Sequence, residues 1–292
     1  MIYQLLKVVA PTFAIVAVGW VWTKLGQKYD TDLVTSLVMK ISGPCLVFST
    51  LSVLDISPYL LGEFGIATLM AAFLFGLSGS IALRIAGLPL RGYLPPVIFP
   101  NIGNMGLPVC LFAYGKTGLA FAIIVFAIFV VGQFTIGQWL YSGHISTGNL
   151  IKDPFIYSLL LALVFLVTRV TPPEMVIKTT GLLGDFTIPL MLLTLGVTLA
   201  RLQVLNIKRS LYVSILRLGL GFGTGVLISS ILGLSGAVRG VLILQCAMPA
   251  AVFNYLLAER YHRNPDETAE ILVTSTLLAI VALPLILEFL QL

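Results

Sequence analysis

The sequence predicts an all-α integral membrane protein in which ten transmembrane helices form two inverted repeats of five helices each. Three observations lead to this prediction. Hydrophobic residues make up 58% of the 292 residues and charged residues only 10%, and the mean hydropathy of +1.04 is too high for a water-soluble domain. The chain divides into ten apolar segments of membrane-spanning length. Prolines recur in the two halves at nearly constant offsets, which indicates an internal repeat.

Each apolar segment has about 17 to 25 residues, the length that crosses a bilayer core as a helix. We predict that the first segment is a true span and not a signal peptide. Its apolar part is too long, and it ends in a patch containing Trp20, Trp22 and Lys24 with no small-residue cleavage site after it. The ten segments cover approximately residues 2–22, 33–53, 61–83, 92–114, 117–141, 154–170, 180–200, 210–232, 238–258 and 269–290.

The positive residues between the segments predict the orientation. With the N-terminus outside, ten lysines and arginines fall in cytoplasmic connections and five fall outside. Cytoplasmic loops carry the excess of these residues, so we predict a multi-pass protein of the cell inner (plasma) membrane with both termini outside. The net charge of +5 includes no basic run, which argues against a nucleic-acid partner. Cys45, Cys110 and Cys246 lie in apolar segments without metal-ligand spacing, and we interpret them as packing residues.

Three pairs of prolines occupy corresponding positions in the two halves, at offsets of 143, 145 and 141 residues. The pairs are Pro11 with Pro154, Pro44 with Pro189, and Pro108 with Pro249. An alternative alignment pairs Pro100 with Pro249. Each half, residues 1–145 and 146–292, would contain five spans. Because five is odd, the halves must have opposite orientations in the membrane, an arrangement common in secondary transporters.

The stretch PPVIFPNIGNMGLPVC, residues 95–110, interrupts the fourth segment. It contains four prolines, two asparagines and two glycines, which a continuous helix disfavours. Backbone that leaves the helix at bilayer depth persists only where it is buried in protein or lines an aqueous cavity. We therefore predict that Asn101, Asn104 and the turn before Pro108 line a ligand site.

The ninth segment has a matching interruption at Pro249, flanked by Gln245 and Asn254. Matching interruptions in the two halves are the best sequence indication of a transport site. If the two broken helices cross, these polar side chains converge on one site. The second half of a broken helix begins with roughly +0.5 of an elementary charge, which favours an anion over a cation. The alternative is that these side chains only cap the freed backbone.

Two charged residues inside predicted spans are candidates for ion coupling. Lys40 precedes Pro44 by four residues, and Asp185 precedes Pro189 by four, so the repeat makes their positions equivalent. Charges inside a membrane are costly and usually functional. The alternatives are that Lys40 reaches the interface along its stem and that Asp185 is solvated. For Arg217, reaching the interface is the favoured interpretation.

An enzyme is disfavoured by the distribution of reactive residues. The sequence GLSG occurs at residues 76–79 and 233–236, and GxSG is the nucleophile setting of rhomboid-type proteases. His144 and His262 both lie in polar connections, so no base is placed near these serines. Packing of small residues between helices explains GLSG better. No cofactor is predicted, apart from a coupling proton or sodium ion.

The stretch NIGNMGLPVCLFAYG, together with MPAAVFNYLLAERY in the second half, resembles the auxin efflux carrier family. The likeness is to its short prokaryotic members of the malonate or malate permease type, and it covers nearly the whole chain. The resemblance implies a sodium/proton antiporter-like and bile acid symporter-like fold. It also implies that spans four and nine cross at Pro108 and Pro249. The substrate site would lie beside this crossing, with Asn101, Asn104, Gln245 and Asn254 as its polar lining.

The same resemblance implies elevator-like alternating access, with spans 1, 2, 6 and 7 as scaffold and the other six as the moving domain. It further implies a homodimer in membrane lipid. The sequence thus predicts a secondary transporter of small organic anions, namely mono- or dicarboxylates or auxin-like acids. The alternative function is a membrane metabolite sensor or accessory subunit that binds its ligand without moving it.

Overall fold

The computed structural model describes residues 2–53, 58–143, 154–201 and 207–291. In these ranges the chain is helical and has no strand. The helices are α1 Ile2–Lys24, α2 Thr31–Leu37, α3 Gly43–Leu51, α4 Pro58–Ile85, α5 Leu90–Ile98, α6 Leu107–Gly132, α7 Gln138–Ser142, α8 Pro154–Thr168, α9 Glu174–Gly184, α10 Thr187–Arg201, α11 Ile207–Ile231, α12 Gly236–Cys246, α13 Val252–Arg260 and α14 Pro265–Phe289. Wider π-helical turns occur at Val38–Ser42, Ile102–Gly106 and Gln133–Gly137.

Helices long and apolar enough to cross a membrane account for much of the chain. Within the described residues there are six such stretches, and three shorter apolar helical stretches accompany them. The six long stretches are 31–51, 62–85, 102–142, 174–201, 207–231 and 265–289. The predicted class, an all-helical multi-pass membrane protein, is confirmed at this level. The predicted boundary between the repeats and the connection around it, residues 144–153, lie outside the described residues.

Apolar side chains cover the outside of the helix assembly as well as its interior. Phe73 is 72% exposed, Ile85 83% and Val281 67%. Inside, aromatic rings pack edge to face, as Phe64 and Phe121 do with ring centres 5.0 Å apart. A water-soluble protein would expose few such side chains in one patch, so the outer apolar surface fits contact with lipid.

The long helix α6 is interrupted at Gly115. This residue has φ 64° and ψ −154°, a conformation outside the helical region that a side chain would disfavour. A Cβ atom on Gly118 would lie 2.5 Å from the carbonyl oxygen of Cys110, so the two parts of α6 approach closely on either side of the break. The break falls between the fourth and fifth predicted segments.

The helices form two packed groups. In the first group, α1 lies along α10, and α3 packs against α8 and α9. Close approach of α1 and α10 depends on small residues, since a Cβ atom on Gly196 would lie 2.9 Å from the backbone nitrogen of Trp20. In the second group, α11 packs against α4, α12 and α14, while α4 packs against α5 and α12 against α6.

Candidate functional site

The interruptions between α5 and α6 and between α12 and α13 cross each other. Phe99, Pro100 and Asn101 run antiparallel to Pro249, Ala250 and Ala251, with an isolated bridge between Pro100 and Ala250. The backbone N–H of Asn101 donates to the carbonyl oxygen of Pro249 at 2.6 Å, and the N–H of Ala251 donates to that of Phe99 at 3.0 Å. Prolines have no N–H to continue a helix, and this reciprocal pairing satisfies backbone groups that lipid could not.

The backbone pairing occurs at Pro100, eight residues before Pro108. Pro249 takes part in it directly, whereas Pro108 is the second residue of α6. A proline is tolerated there because the first N–H groups of a helix have no intrahelical acceptor. Of the two alignments considered from the sequence, the pairing of Pro100 with Pro249 matches the crossing.

Asn254 stabilises the crossing from the side. Its Nδ2 donates to the carbonyl oxygen of Phe99 at 3.0 Å, and its Oδ1 accepts from Gln133 Nε2 at 3.1 Å. The Ser275 hydroxyl accepts from the N–H of Ala250 at 3.1 Å. Asn254 is completely buried, so its observed contacts are those of a residue that caps freed backbone, the alternative role considered for it.

A cavity of about 50 Å³ lies at the crossing. Its wall includes the first residues after each break, 101–104 from one helix and 251–253 from the other. Asn101 is 3% exposed, and its Nδ2 has no hydrogen-bond partner in the described part of the chain. The remaining lining is Met39, Phe99, Pro100, Phe126, Phe129, Val130, Gln133 and Met191.

A second cavity of about 450 Å³ adjoins the first, since both are lined by Met39, Asn104, Met191, Val252 and Phe253. Asn104 is half-buried. Because it lines both cavities, it lies where they meet. Away from the crossing, the larger cavity is lined mainly by polar residues. These are Tyr29, Asp30, Thr31, Asp32, Thr35, Thr194, Thr198 and Arg201.

Hydrogen bonds hold the segment before α2 against α10 at the polar part of the larger cavity. Arg201 donates to Thr31 Oγ1 and to the carbonyl oxygen of Tyr29, each at 2.9 Å. The Tyr29 hydroxyl lies 2.8 Å from Thr194 Oγ1. Thr194 donates its own proton to the carbonyl oxygen of Leu190, so Tyr29 is the donor. Burial raises the pKa of Tyr29, and the opposing effects of Thr194 and Arg201 are smaller.

Two comparisons with known proteins indicate the family of this chain. A family model described as membrane transport protein matches residues 140–287, half of the chain. The protein belongs to this family, that of the auxin efflux carriers. An uncharacterized transporter of Methanocaldococcus jannaschii is 24% identical, and the alignment covers 93% of this chain and 94% of the relative. Membership of a transporter family disfavours an enzyme.

In this membrane transport protein, the matched region contains Gln245, Pro249 and Asn254 but not Asn101 or Asn104. Gln245 was predicted to line the site, and it lines neither cavity at the crossing. Its side chain is completely buried against Gly106, where a Cβ atom would collide with Gln245 Oε1. Neither amide atom of Gln245 has a hydrogen-bond partner among the described residues. Gln245 therefore packs against the turn at Gly106 and lies outside the lining of both cavities.

The two coupling candidates lie apart from the cavities. Lys40 is exposed in the π-helical turn between α2 and α3, and Asp185 is exposed at the end of α9. Neither lines either cavity at the crossing. The interpretation of Arg217 as a side chain that reaches the interface is wrong, because Arg217 is completely buried.

The sequence analysis missed several residues at the site. Gln133 follows α6 in an uninterrupted apolar segment, so no break drew attention to it. Met39 and Met191 come from the first packed group and have the appearance of ordinary core residues. Tyr29, Thr194 and Arg201 face the larger cavity only because α10 lies beside the connection before α2.

Proposed function

We propose that this protein is a secondary transporter of small organic anions, namely mono- or dicarboxylates or auxin-like acids. One observation carries the proposal. The first residues of the helices that begin after each break, together with the unpartnered amide of buried Asn101, line the same cavity. Helix N-termini present free N–H groups and a partial positive charge, and an amide Nδ2 is a hydrogen-bond donor. A carboxylate has oxygen acceptors for the N–H groups of both helix N-termini and for the Asn101 amide.

The rest of the lining supports an organic anion. No charged side chain is among the residues that line the smaller cavity, so a bound carboxylate would meet no competing carboxylate there. Phe126, Phe129 and Met191 provide an apolar wall for the carbon skeleton. Arg201 lines the larger cavity together with Asp30 and Asp32, so the charges there do not select for an anion, and the preference for an anion rests on the smaller cavity.

The packing supports the proposed ten-helix inverted repeat with crossing spans four and nine. The crossing is reciprocal, since each interruption donates one N–H to the other. α1, in the first span of one half, packs along α10, in the second span of the other half. In the same way α8, in the first span of the second half, packs against α3, in the second span of the first half. A two-fold axis in the membrane plane, near Pro100 and Ala250, would account for both pairings.

The position of the cavities supports elevator-like transport. Met39 and Met191 line both cavities from the first packed group, which would be the scaffold. Asn104 and Val252 line both from the second group, which would move. Tyr29 and Arg201, which line the larger cavity, lie in connections that the positive-residue pattern assigns to the cytoplasm. We therefore assign this arrangement to a state open to the cytoplasm, in a homodimer embedded in lipid.

The experiment is flux into sealed proteoliposomes. Labelled malonate, malate and indole-3-acetate would be supplied at several pH values with and without sodium, and a labelled amine would serve as the cation control. Saturable uptake of at least one acid, absent from protein-free liposomes, is expected. Binding of an acid without any flux would favour the sensor alternative, and uptake of the amine alone would overturn the assignment of an anion.

A further inference from the structure

The strongest unexplained feature outside the cavities is Arg217 on α11. It is the largest completely buried side chain in the described residues. Its Nη2 donates to the carbonyl oxygen of Cys246 at 2.6 Å, and its guanidinium stacks on the ring of Phe75 with 4.7 Å between Cζ and the ring centre. Cys246 is the last residue of α12. The arginine thus reaches the end of a half-helix immediately before the crossing.

No carboxylate forms an ion pair with Arg217 in the described part of the chain. The ion pairs there are Lys178 with Glu174 and Arg209 with Glu267. Nε and Nη1 of Arg217 have no hydrogen-bond partner among the described residues. An arginine keeps its charge in proteins, and a buried charge without compensation is costly. The partner that the structure does provide is the C-terminal end of α12, which carries about half a negative charge.

That position has a known use in secondary transporters. The C-terminal ends of their broken helices and the unwound carbonyl oxygens coordinate the coupling sodium ion. In this protein two of the corresponding oxygens already have donors. The carbonyl of Cys246 accepts from Arg217, and that of Phe99, at the end of α5, accepts from Asn254 Nδ2 and from the N–H of Ala251. Gly221 packs directly on the Cys246 carbonyl, which leaves little room beside it.

We infer that the guanidinium of Arg217 is a built-in cation that takes the place of a coupling sodium ion at the end of α12. Arg217 is then a positioning residue: it holds α12 and the crossing in place without touching the substrate. Resting on the proposed function, the inference makes substrate binding independent of sodium. A mobile ion has to bind and leave in each transport cycle, whereas an arginine fixed in α11 supplies its charge permanently.

The test uses the purified full-length protein without any carboxylate, so that its result does not depend on the identity of the substrate. Thermal unfolding would be followed in equal concentrations of NaCl, KCl and choline chloride. The wild type is expected to unfold at the same temperature in all three salts. A sodium-specific, saturable rise of about 2 °C or more in the wild type would overturn the inference.

Three variants make the test specific. Arg217→Ala should unfold at a lower temperature and recover part of the loss with NaCl or millimolar guanidinium, but not with choline. Arg217→Lys, which keeps a cation, should show no sodium-specific rise. Arg239→Ala is the matched control, because Arg239 also stacks on a ring, that of Phe289, but near the start of α12. It should show no cation-specific recovery. If no small cation stabilises Arg217→Ala, Arg217 is an ordinary hydrogen-bond donor and the inference is overturned. If this variant does not fold, the comparison of the wild type in the three salts still decides.

Discussion

The backbone N–H of Asn101 donates a hydrogen bond of 2.6 Å to the carbonyl oxygen of Pro249. This bond joins the break in one helix to the break in another. A second bond, from the N–H of Ala251 to the carbonyl oxygen of Phe99, joins the same two breaks in the opposite direction. The two breaks therefore satisfy each other through the backbone, as groups at bilayer depth must. The side-chain amide of Asn101 is not used in the crossing and remains available to a ligand.

Asn254 should contribute strongly to stability. Asn254→Ala removes one donor from the carbonyl of Phe99 and the acceptor of Gln133, so we expect a loss of about 1–3 kcal/mol in the free energy of unfolding. Gln133→Ala removes only one of these bonds and should cost less. The check is thermal or denaturant unfolding of both variants and of the double variant. If the loss of stability in the double variant equals the sum of the losses in the two single variants, the two side chains are not directly coupled.

Gly106 should tolerate no side chain. A Cβ atom there would collide with Gln245 Oε1, and both residues are buried, so Gly106→Ala should cost about 1–3 kcal/mol. Gly223→Ala is the control, because its Cβ would meet open space and alanine favours a helix by about 0.5–1 kcal/mol. Unfolding temperatures would be compared. Adding Gln245→Ala should restore part of the loss, and failure to do so would mean that the collision is not the cause.

The sequence predicts the breaks and the two asparagines beside the first of them, but not the directions of Gln245 and Arg217. Proline, asparagine and glycine between residues 95 and 110 directly disfavour a helix, so the interruption and the exposure of Asn101 and Asn104 to a cavity could be predicted. The direction of Gln245 depends on how α12 packs against the helix after the other break, and the burial of Arg217 on how α11 packs against α4 and α12. Both are set by helix neighbours far apart in sequence, which a single sequence does not specify.

Asn104 should contribute to substrate affinity. It lies where the two cavities meet, and a hydrogen bond to a charged ligand is worth about 1.5–3 kcal/mol. Asn104→Ala should therefore weaken carboxylate binding about ten-fold or more while leaving the unfolding temperature of the free protein unchanged. Binding would be measured by titration. Thr198→Val is the control, since Thr198 lines only the larger cavity, and unchanged affinity in Asn104→Ala would remove Asn104 from the site.

Asp185 should not control coupling. It is exposed at the end of α9 and lines neither cavity at the crossing, so Asp185→Asn should leave the pH and sodium dependence of uptake unchanged, as should Lys40→Gln. Uptake into proteoliposomes across a pH series is the measurement. A shifted pH profile in Asp185→Asn would instead support the coupling role that its position in the repeat suggests.

Asn101→Asp tests the central claim, that an organic anion binds at the crossing, most directly. Asn101 precedes the first turn of the helix after the break, where the helix N-terminus stabilises a negative side chain and offsets part of the cost of burying it. Its carboxylate would occupy the same N–H groups and repel a second anion. With the dissociation constant of the transported carboxylate measured for both folded proteins, the account predicts binding weakened about 100-fold or more in Asn101→Asp. Equal affinity in the two proteins would contradict it and place the anion elsewhere.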